Sequence, residues 1–297
     1  MTDPLTQLSQ ALAARTQTAG QLVAAIKISD ARHRTGSIWG PDFIVASEQS
    51  LPKRDAYEIV LPAGVNAKAL PVGRDPGTNI ALLKVDRSVN AAKVANAGPE
   101  LGSLALAFGA DRSGGARARL GIVNLAGPEW HSRAGSRIDR RIVLDLELSR
   151  SEEGGPVLNA GGERLGFSTF GPRGQALVIP SGTVDRVIPQ LLQHGHIARG
   201  WLGVALQPVA VPDALHATAG QTSGLMVMSV AVDGPCAKAG VLASDILLSV
   251  DGEPVRRFRR IAGGLGPDSV GREVELKFIR SGTVLSLKAR ITERPHA

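Results

Sequence analysis

The sequence predicts a mainly β chain followed by a smaller α+β unit, and three observations carry that expectation. Short apolar runs alternate with turn signals from about residue 22 to about residue 180. The 35 Gly and 18 Pro are spread along all 297 residues, as tight turns between short strands require and a helical bundle does not. Beyond about residue 200 the pattern changes, with strands and short helical segments mixed. An apolar content of 43% can fill at least one large core.

The elements follow in order. Pro4 to Ala14 reads as a short amphipathic helix, with Leu5, Leu8 and Leu12 at i, i+3, i+7 spacing. Leu22 to Ile28 is the first expected strand. Further strands are expected at Gly36–Trp39, Phe43–Ala46, Tyr57–Leu61, Asn79–Val85, Leu104–Ala107, Arg119–Asn124, Ile142–Leu146, Val157–Leu158, Leu165–Thr169 and Ala176–Ile179. About a dozen strands at this spacing argue for a sandwich or a pair of barrels. Ser181 to His194 reads as a helix with Ser181 as N-cap, a stripe of Val184, Val187, Ile188, Leu191 and Leu192, a disturbance at Pro189, and Gly195 as its stop. In the last third, strands are expected at Leu202–Gln207, Gly224–Val230, Asp245–Val250, Val274–Ile279 and Val284–Lys288. A short helix is expected within Gly234–Gly240 and a second from Val255 to Leu265, with turns at Asp251-Gly252 and Ser281-Gly282.

Composition limits the function. Net charge is +7, with arginine clusters at Arg112/Arg117/Arg119, Arg133/Arg137/Arg140/Arg141 and Arg256/Arg257/Arg259/Arg260. Such clusters serve nucleic acid, anionic lipid or acidic partners, or simply a solvated surface. Aromatics are 3% of residues and do not interleave with the basic runs, which argues against a base-stacking surface. No apolar run approaches the roughly 18 residues of a membrane span. Met1-Thr-Asp-Pro-Leu-Thr-Gln7 lacks the basic start and apolar middle of a secretion signal. The expected compartment is therefore the cytoplasm, or the periplasm if a leader has been removed. Cys236 is the single cysteine, so neither an internal disulfide nor a cysteine metal cluster can form. His194-Gly-His196, with no carboxylate or cysteine nearby, is a weak metal signal, and no metal or cofactor is expected.

One loop organises the chemistry. In Asp145-Leu-Glu-Leu-Ser-Arg-Ser-Glu-Glu-Gly-Gly-Pro-Val-Leu-Asn159, an apolar strand enters a polar loop and leaves through Gly-Gly-Pro into another strand. Other informative stretches are Asp75-Pro-Gly-Thr-Asn-Ile-Ala-Leu-Leu-Lys84, Gly121-Ile-Val123, Val178-Ile-Pro180, Arg199-Gly-Trp-Leu-Gly-Val204 and the run from Gly234 to Gly252. As a co-linear series, over about residues 20 to 293, the chain resembles the HtrA/DegP group of trypsin-like serine proteases with a PDZ domain. The resemblance implies two six-stranded β-barrels over residues 22–193, after an N-terminal helical segment at 1–21, and a PDZ domain at 200–293.

The resemblance also places the catalytic positions. The histidine position is Gln49, the aspartate position is Asn79, and the serine position is Glu153. Acyl transfer needs an attacking hydroxyl, a base near neutral pKa and a carboxylate that holds the imidazolium. Gln49 cannot accept a proton at pH 7, and Asn79 cannot stabilise a cation as aspartate does. The aspartate change alone costs roughly 10⁴ in rate, and loss of the nucleophile or base on the order of 10⁶. Gln49 and Asn79 are amides that can still hydrogen-bond across the barrel junction, and Glu153 is expected to fold into the oxyanion hole and cap it. Ser149 and Ser151 lie in the same loop without a base, and the adjacent Glu152 and Glu153 do not suit a glycosidase acid pair.

The implied activity is thus that of a pseudoprotease whose PDZ groove binds protein or peptide C-termini as regulator, scaffold or chaperone-like subunit. The groove would be formed by Trp201, Leu202, Gly203 and Val204 with Ile261 and Leu265, the helix carrying also Phe258 and Ala262. Arginines at 256, 257, 259 and 260 would favour acidic termini. An active relative as a partner and a homo-trimer are the assemblies that the resemblance implies. The competing expectations are a serine-type endopeptidase with an unrecognised arrangement and a basic binder of nucleic acid or anionic surfaces.

Overall fold

Twelve of the strands close into two barrels. The structure, a computed structural model, describes residues 3–89, 94–132, 134–255 and 264–295. The chain forms two compact units, Met1–Ser132 with Arg137–Ile197, and Arg133–Ser136 with Ala198–Ala297.

The first unit starts with helix α1 (Pro4–Ala19), longer than expected. Asp3 caps it by accepting the Thr6 N–H at 3.2 Å. Its apolar residues divide: Leu5 and Leu8 are exposed, whereas Leu12 packs into the protein. Strands β1 (Val23–Ser29), β2 (Arg32–Ile38), β3 (Phe43–Ser47), β4 (Tyr57–Leu61), β5 (Val65–Asp75) and β6 (Ile80–Val85) close in the order β1-β2-β3-β6-β5-β4. Alternate residues point inward, so Ile26, Ile38, Ile44, Tyr57, Ile59 and Leu83 fill this barrel. Strand β5 has no counterpart in the sequence expectations. Its inner face is supplied by the small residues Ala67 and Ala69, and a bulge between Pro71 and Gly73 breaks its alternation.

After β7 (Leu104–Ala110) and β8 (Ala116–Gly127) comes a short ribbon of β9 (Trp130–His131) and β10 (Arg137–Ile138). Then β11 (Arg141–Leu144), β12 (Pro156–Asn159), β13 (Arg164–Phe170) and β14 (Ala176–Pro180) complete a second barrel, ordered β11-β14-β13-β12-β7-β8. Its core is built of smaller side chains, among them Ala105, Ala107, Val123, Val157 and Val178. Apolar residues of both barrels seal the junction: Ala25 and Val60 pack with Leu106, Phe108 and Leu158, and Val45, Ile80 and Leu82 with Phe167 and Ile179.

Helix α2 (Ser181–His194) runs as expected, continues through Pro189, and ends at Gly195 in the left-handed conformation. It buries Val184, Val187 and Leu191, leaving Leu192 exposed. Its cap differs from the expectation. Pro180 occupies the N-cap position, and the buried Ser181 hydroxyl donates instead to the Arg164 carbonyl at 3.0 Å, tying the helix to β13.

The second unit contains β15 (Gly200–Trp201), β16 (Val204–Ala210), α3 (His216–Ala219), β17 (Ser223–Val230), α4 (Pro235–Lys238), β18 (Ile246–Val250), β19 (Glu253–Pro254), β20 (Glu273–Arg280), β21 (Thr283–Arg290) and β22 (Thr292–Glu293). The sheet runs β16-β17-β18-β20-β21, with β19 on β18, while β15 pairs with β22. Both expected hairpin turns carry two consecutive positive φ angles, 49° and 78° at Asp251-Gly252 and 48° and 84° at Ser281-Gly282. That is the signature of the tight turn that matches strand twist. The helix expected from Val255 to Leu265 lies, from residue 256 to residue 263, outside the described residues.

Phe167 is fully buried where the two barrels meet. Replacing it by alanine is expected to cost about 3–5 kcal/mol, read as a lowered urea midpoint for the unfolding of the first unit.

Candidate functional site

The loop between β11 and β12 is fixed by backbone geometry before any side chain acts. Gly154 has φ +96°, and a Cβ there would lie 2.1 Å from the Thr35 carbonyl oxygen; at Gly155 it would lie 1.7 Å from that of Phe108. Only glycine fits at either position. The loop carbonyls then point at β2 of the other barrel. Thr35 Oγ1 donates to the Ser151 oxygen at 2.7 Å, the Thr35 N–H to the Glu153 oxygen at 3.3 Å, and Ser37 Oγ to the Gly154 oxygen at 2.8 Å.

This frame sends two adjacent carboxylates to different partners. Glu153 is 5% exposed. Its Oε1 accepts hydrogen bonds from Ser47 Oγ at 2.8 Å, Gln49 Nε2 at 2.7 Å and Thr169 Oγ1 at 2.8 Å. Asn79, itself at φ +60°, completes the cluster. Its Nδ2 donates to Thr169 Oγ1 at 2.8 Å and Ser47 Oγ at 3.0 Å, and its Oδ1 accepts the Gln49 backbone N–H at 2.8 Å. The three residues singled out from sequence thus share one hydrogen-bonded network. The oxyanion-hole cap expected for Glu153 is overturned: its Oε1 turns inward and accepts from two hydroxyls and a side-chain amide, none of them a backbone N–H of the loop.

Glu152 is equally buried but ionically paired. Its Oε2 accepts from Arg119 Nε at 2.6 Å and from the Ser149 N–H at 2.8 Å. Burial pushes the carboxyl up, yet the Arg119 hydrogen bond, the bonds from Ser149 and the Arg119 charge together hold it below the usual carboxylate range. The same contact raises Arg119. Arg119 therefore serves the loop rather than a free basic patch.

Sequence reading missed Ser47, Thr169 and the Arg119–Glu152 pair. A signal existed for Thr169: Ser168-Thr169 is a polar pair ending an apolar strand. Ser149 and Ser151 face each other, Oγ to Oγ at 2.8 Å. The described histidine contacts lie elsewhere, His33 against the Ala110 carbonyl and His216 against that of Val211.

In the second unit, Leu202 is buried and Gly203 has φ +75°. The Leu202 and Gly203 carbonyls accept from the Cys236 and Ala231 N–H groups at 3.0 and 2.7 Å. Trp201 and Val204 are half-buried, Val204 opening the edge strand β16. A cavity of about 330 Å³ is lined by Leu202, Val250, Val255, Leu265, Val274 and Ile291 among others. It brings Leu202 and Leu265 together, while Val204 is not among its lining residues. Ile261, Phe258 and Ala262, with the arginines at 256, 257, 259 and 260, lie outside the described residues.

Two six-stranded barrels with a polar cluster at their junction, followed by a separate sheet with an open edge strand, define a trypsin-like peptidase fold joined to a PDZ domain. Residues 34–166 match the trypsin-like peptidase domain and residues 200–291 the PDZ domain. A probable periplasmic serine endoprotease, DegP-like, of Brucella suis is 30% identical over 264 residues, 86% of this chain and 51% of that protein. One of the same description from Pseudomonas putida is 29% identical over 279 residues, 89% of this chain and 58% of that protein. The chain spans about half the length of the relatives it matches. Among solved structures, the HtrA-type protease AlgW with decapeptide superposes with a TM-score of 0.74 at 23% identity, covering 96% of this chain and 99% of that one. The serine endoprotease from Yersinia pestis gives 0.73 at 23% identity, covering 95% and 97%. The chain belongs to the HtrA/DegP family of trypsin-like serine proteases with a PDZ domain.

These relatives correct the expected compartment. They are named periplasmic, against the cytoplasmic reading. The single cysteine could not have decided this: Cys236 is buried, with its thiol pushed up to about 12 by desolvation, and it reports no redox environment.

The Arg119–Glu152 pair yields a pH-dependent test. Arg119→Ala leaves Glu152 buried without its cation, and should cost about 1–3 kcal/mol at pH 7. Because the folded carboxyl is depressed, this stability is present above the ordinary glutamate value of about 4.3. It is lost as pH falls through the lower folded value. Urea denaturation of the wild type and the variant at pH 7 and pH 3 should show the gap closing in acid.

Proposed function

We propose that this chain is a non-cleaving member of its family, a pseudoprotease that binds protein or peptide C-termini through its PDZ unit. The observation that carries the reading is the 2.7 Å contact from the Gln49 amide to the Glu153 carboxylate. An amide donor and a carboxylate acceptor stand where the family needs a proton-accepting imidazole and an attacking hydroxyl. Asn79 donates an amide N–H where a carboxylate would hold a cation.

The competing reading, an endopeptidase with another nucleophile, has two hydroxyls to draw on in the cluster. Ser47 and Thr169 both donate to Glu153, but they are 0% and 1% exposed. A substrate carbonyl has no route to either oxygen, and a carboxylate is a weak base for an alcohol at neutral pH. The non-cleaving reading is therefore preferred.

In the PDZ unit, the turned Gly203 and the edge strand β16 suit a terminal carboxylate held by backbone N–H groups, with the peptide added as a strand. The HtrA-type protease AlgW is a structure with a decapeptide, and a peptide is the ligand class we assign to this chain. We assign it to the periplasm with its relatives, as a regulator, scaffold or chaperone-like subunit, assembled with copies of itself or with an active relative.

Purified protein is expected neither to react with a fluorophosphonate probe nor to cleave unfolded casein. Turnover that disappears in Glu153→Gln would overturn the proposal. For the groove, Gly203→Glu puts a side chain at φ +75°, within 3.4 Å of Gly234, Pro235 and Trp201 atoms. It should abolish capture of C-terminal peptides from a library. Capture that survives would move the ligand site elsewhere.

A further inference from the structure

We propose that the barrel junction binds a primary ammonium group, from a lysine side chain or a polypeptide N-terminus, on the free oxygens of Glu153 and Gln49. This goes beyond the non-cleaving reading, since it concerns what the junction holds rather than whether it cuts.

The cluster has spent its donors. Ser47 Oγ and Thr169 Oγ1 each give their hydrogen to Glu153 Oε1 at 2.8 Å. Asn79 Nδ2 donates to Thr169 Oγ1 and Ser47 Oγ. Gln49 Nε2 is shared among Glu153 Oε1, Thr169 Oγ1 and the Phe170 carbonyl. A carboxylate and a carbonyl only accept, so these contacts also fix which end of the Gln49 amide is the nitrogen.

Two acceptors are left over. Glu153 Oε1 takes three donors, whereas Glu153 Oε2 and Gln49 Oε1 take none among the described residues. Neither oxygen is sealed from solvent. The buried side-chain polar atoms without a partner, among the described residues, are all arginine Nε atoms, and Gln49 is an exposed residue. Oε2 thus keeps the solvent contact of a residue that is otherwise 95% covered, being 5% exposed. Both free oxygens belong to the pair of groups joined by the 2.7 Å contact.

Charge points the same way. Glu152 offsets its burial with Arg119 at 2.6 Å. Glu153 has no lysine or arginine within ion-pair distance among the described residues, so only neutral donors meet its charge. A carboxylate held in that state gains from an added cation. The number of free oxygens selects its form. A guanidinium engages both oxygens of a carboxylate as a fork, and here Oε1 is already full. An ammonium is a compact charge with three separate donors, able to serve Oε2 and Gln49 Oε1 one at a time.

The test is an NMR titration of the full chain at low ionic strength, following the Gln49 side-chain amide and the Gly154 and Gly155 N–H signals. The probes are Nα-acetyl-lysine N-methylamide, which carries only an ε-ammonium, and alanine N-methylamide, which carries only an α-ammonium. Neither has a terminal carboxylate for the PDZ groove. At least one should give saturable shifts, and the tighter of the two names the source. Glu153→Gln keeps the shape and the Oε1 acceptor but removes the charge, and should weaken binding roughly tenfold to hundredfold. The Nε-acetylated lysine probe should not bind, and the arginine analogue should bind more weakly than lysine. Equal binding by Glu153→Gln, by the acetylated probe or by arginine would overturn the site, as would silence from both ammonium probes. Sodium chloride that saturates the same shifts and blocks the probes would mark an inorganic cation site and overturn the assignment too. Should Glu153→Gln fail to fold, the acetylated probe decides on the wild type. These probes leave the non-cleaving reading untouched, because the casein assay alone decides it.

Discussion

The arrangement of the first unit turns on one buried carboxylate oxygen. A carboxylate removed from water must recover its hydrogen bonds or it costs several kcal/mol. Glu153 recovers them from three elements at once: Ser47 at the end of β3, Gln49 in the turn after it, and Thr169 near the end of β13. Two of those donors belong to one barrel and the third, with Glu153 itself, to the other. Satisfying this single oxygen therefore fixes how the barrel ends meet. The loop that carries Glu153 can reach that point only because Gly154 and Gly155 let its backbone pass within van der Waals distance of Thr35 and Phe108.

Neighbouring Glu152 solves the same problem by the opposite means. It turns to Arg119 on β8 and to the Ser149 amide, so a cation rather than neutral donors offsets its burial. Two consecutive acids with side chains diverging into different partners leave the loop little freedom. Three carbonyls held by Thr35 and Ser37 remove most of what remains. A loop anchored at so many points is a poor candidate for rearrangement into a reactive geometry. Its sequence, Ser151-Glu-Glu-Gly-Gly-Pro156, accounts for that through burial and glycine placement alone.

Much of this was legible in the sequence where local chemistry dominates. The Asp251-Gly252 and Ser281-Gly282 turns, the span of α2 and its Gly195 stop depend on neighbouring residues, and the structure reproduces them. Strand β5 was not legible, because alanines rather than large apolar residues supply its buried face. Nor was the role of Ser181, where a nearby β13 carbonyl competes for the hydroxyl with the helix end. The residues of the polar cluster were legible only through the family resemblance. Gln49 and Asn79 are 30 residues apart in sequence, and the Glu153 side chain was expected to turn the wrong way. Long-range donors decided its direction, and no periodicity or spacing encodes where Ser47 and Thr169 will lie.

The chemistry of the cluster also bears on the proposal that this site does not cleave. A working nucleophile and base must keep unsatisfied or strained groups ready for a transition state, and that readiness usually lowers stability. Here the polar atoms at the barrel junction are directed at one another: hydroxyls donate to a carboxylate, and amides bridge hydroxyls and backbone. In the proposed non-cleaving protein the junction has no transition state to serve, and mutually satisfied amides, hydroxyls and one carboxylate are the arrangement that favours stability. The PDZ unit has its own core, built around Leu225, Val227, Leu247, Leu276 and Phe278, so its packing rests on contacts separate from those that close the barrels.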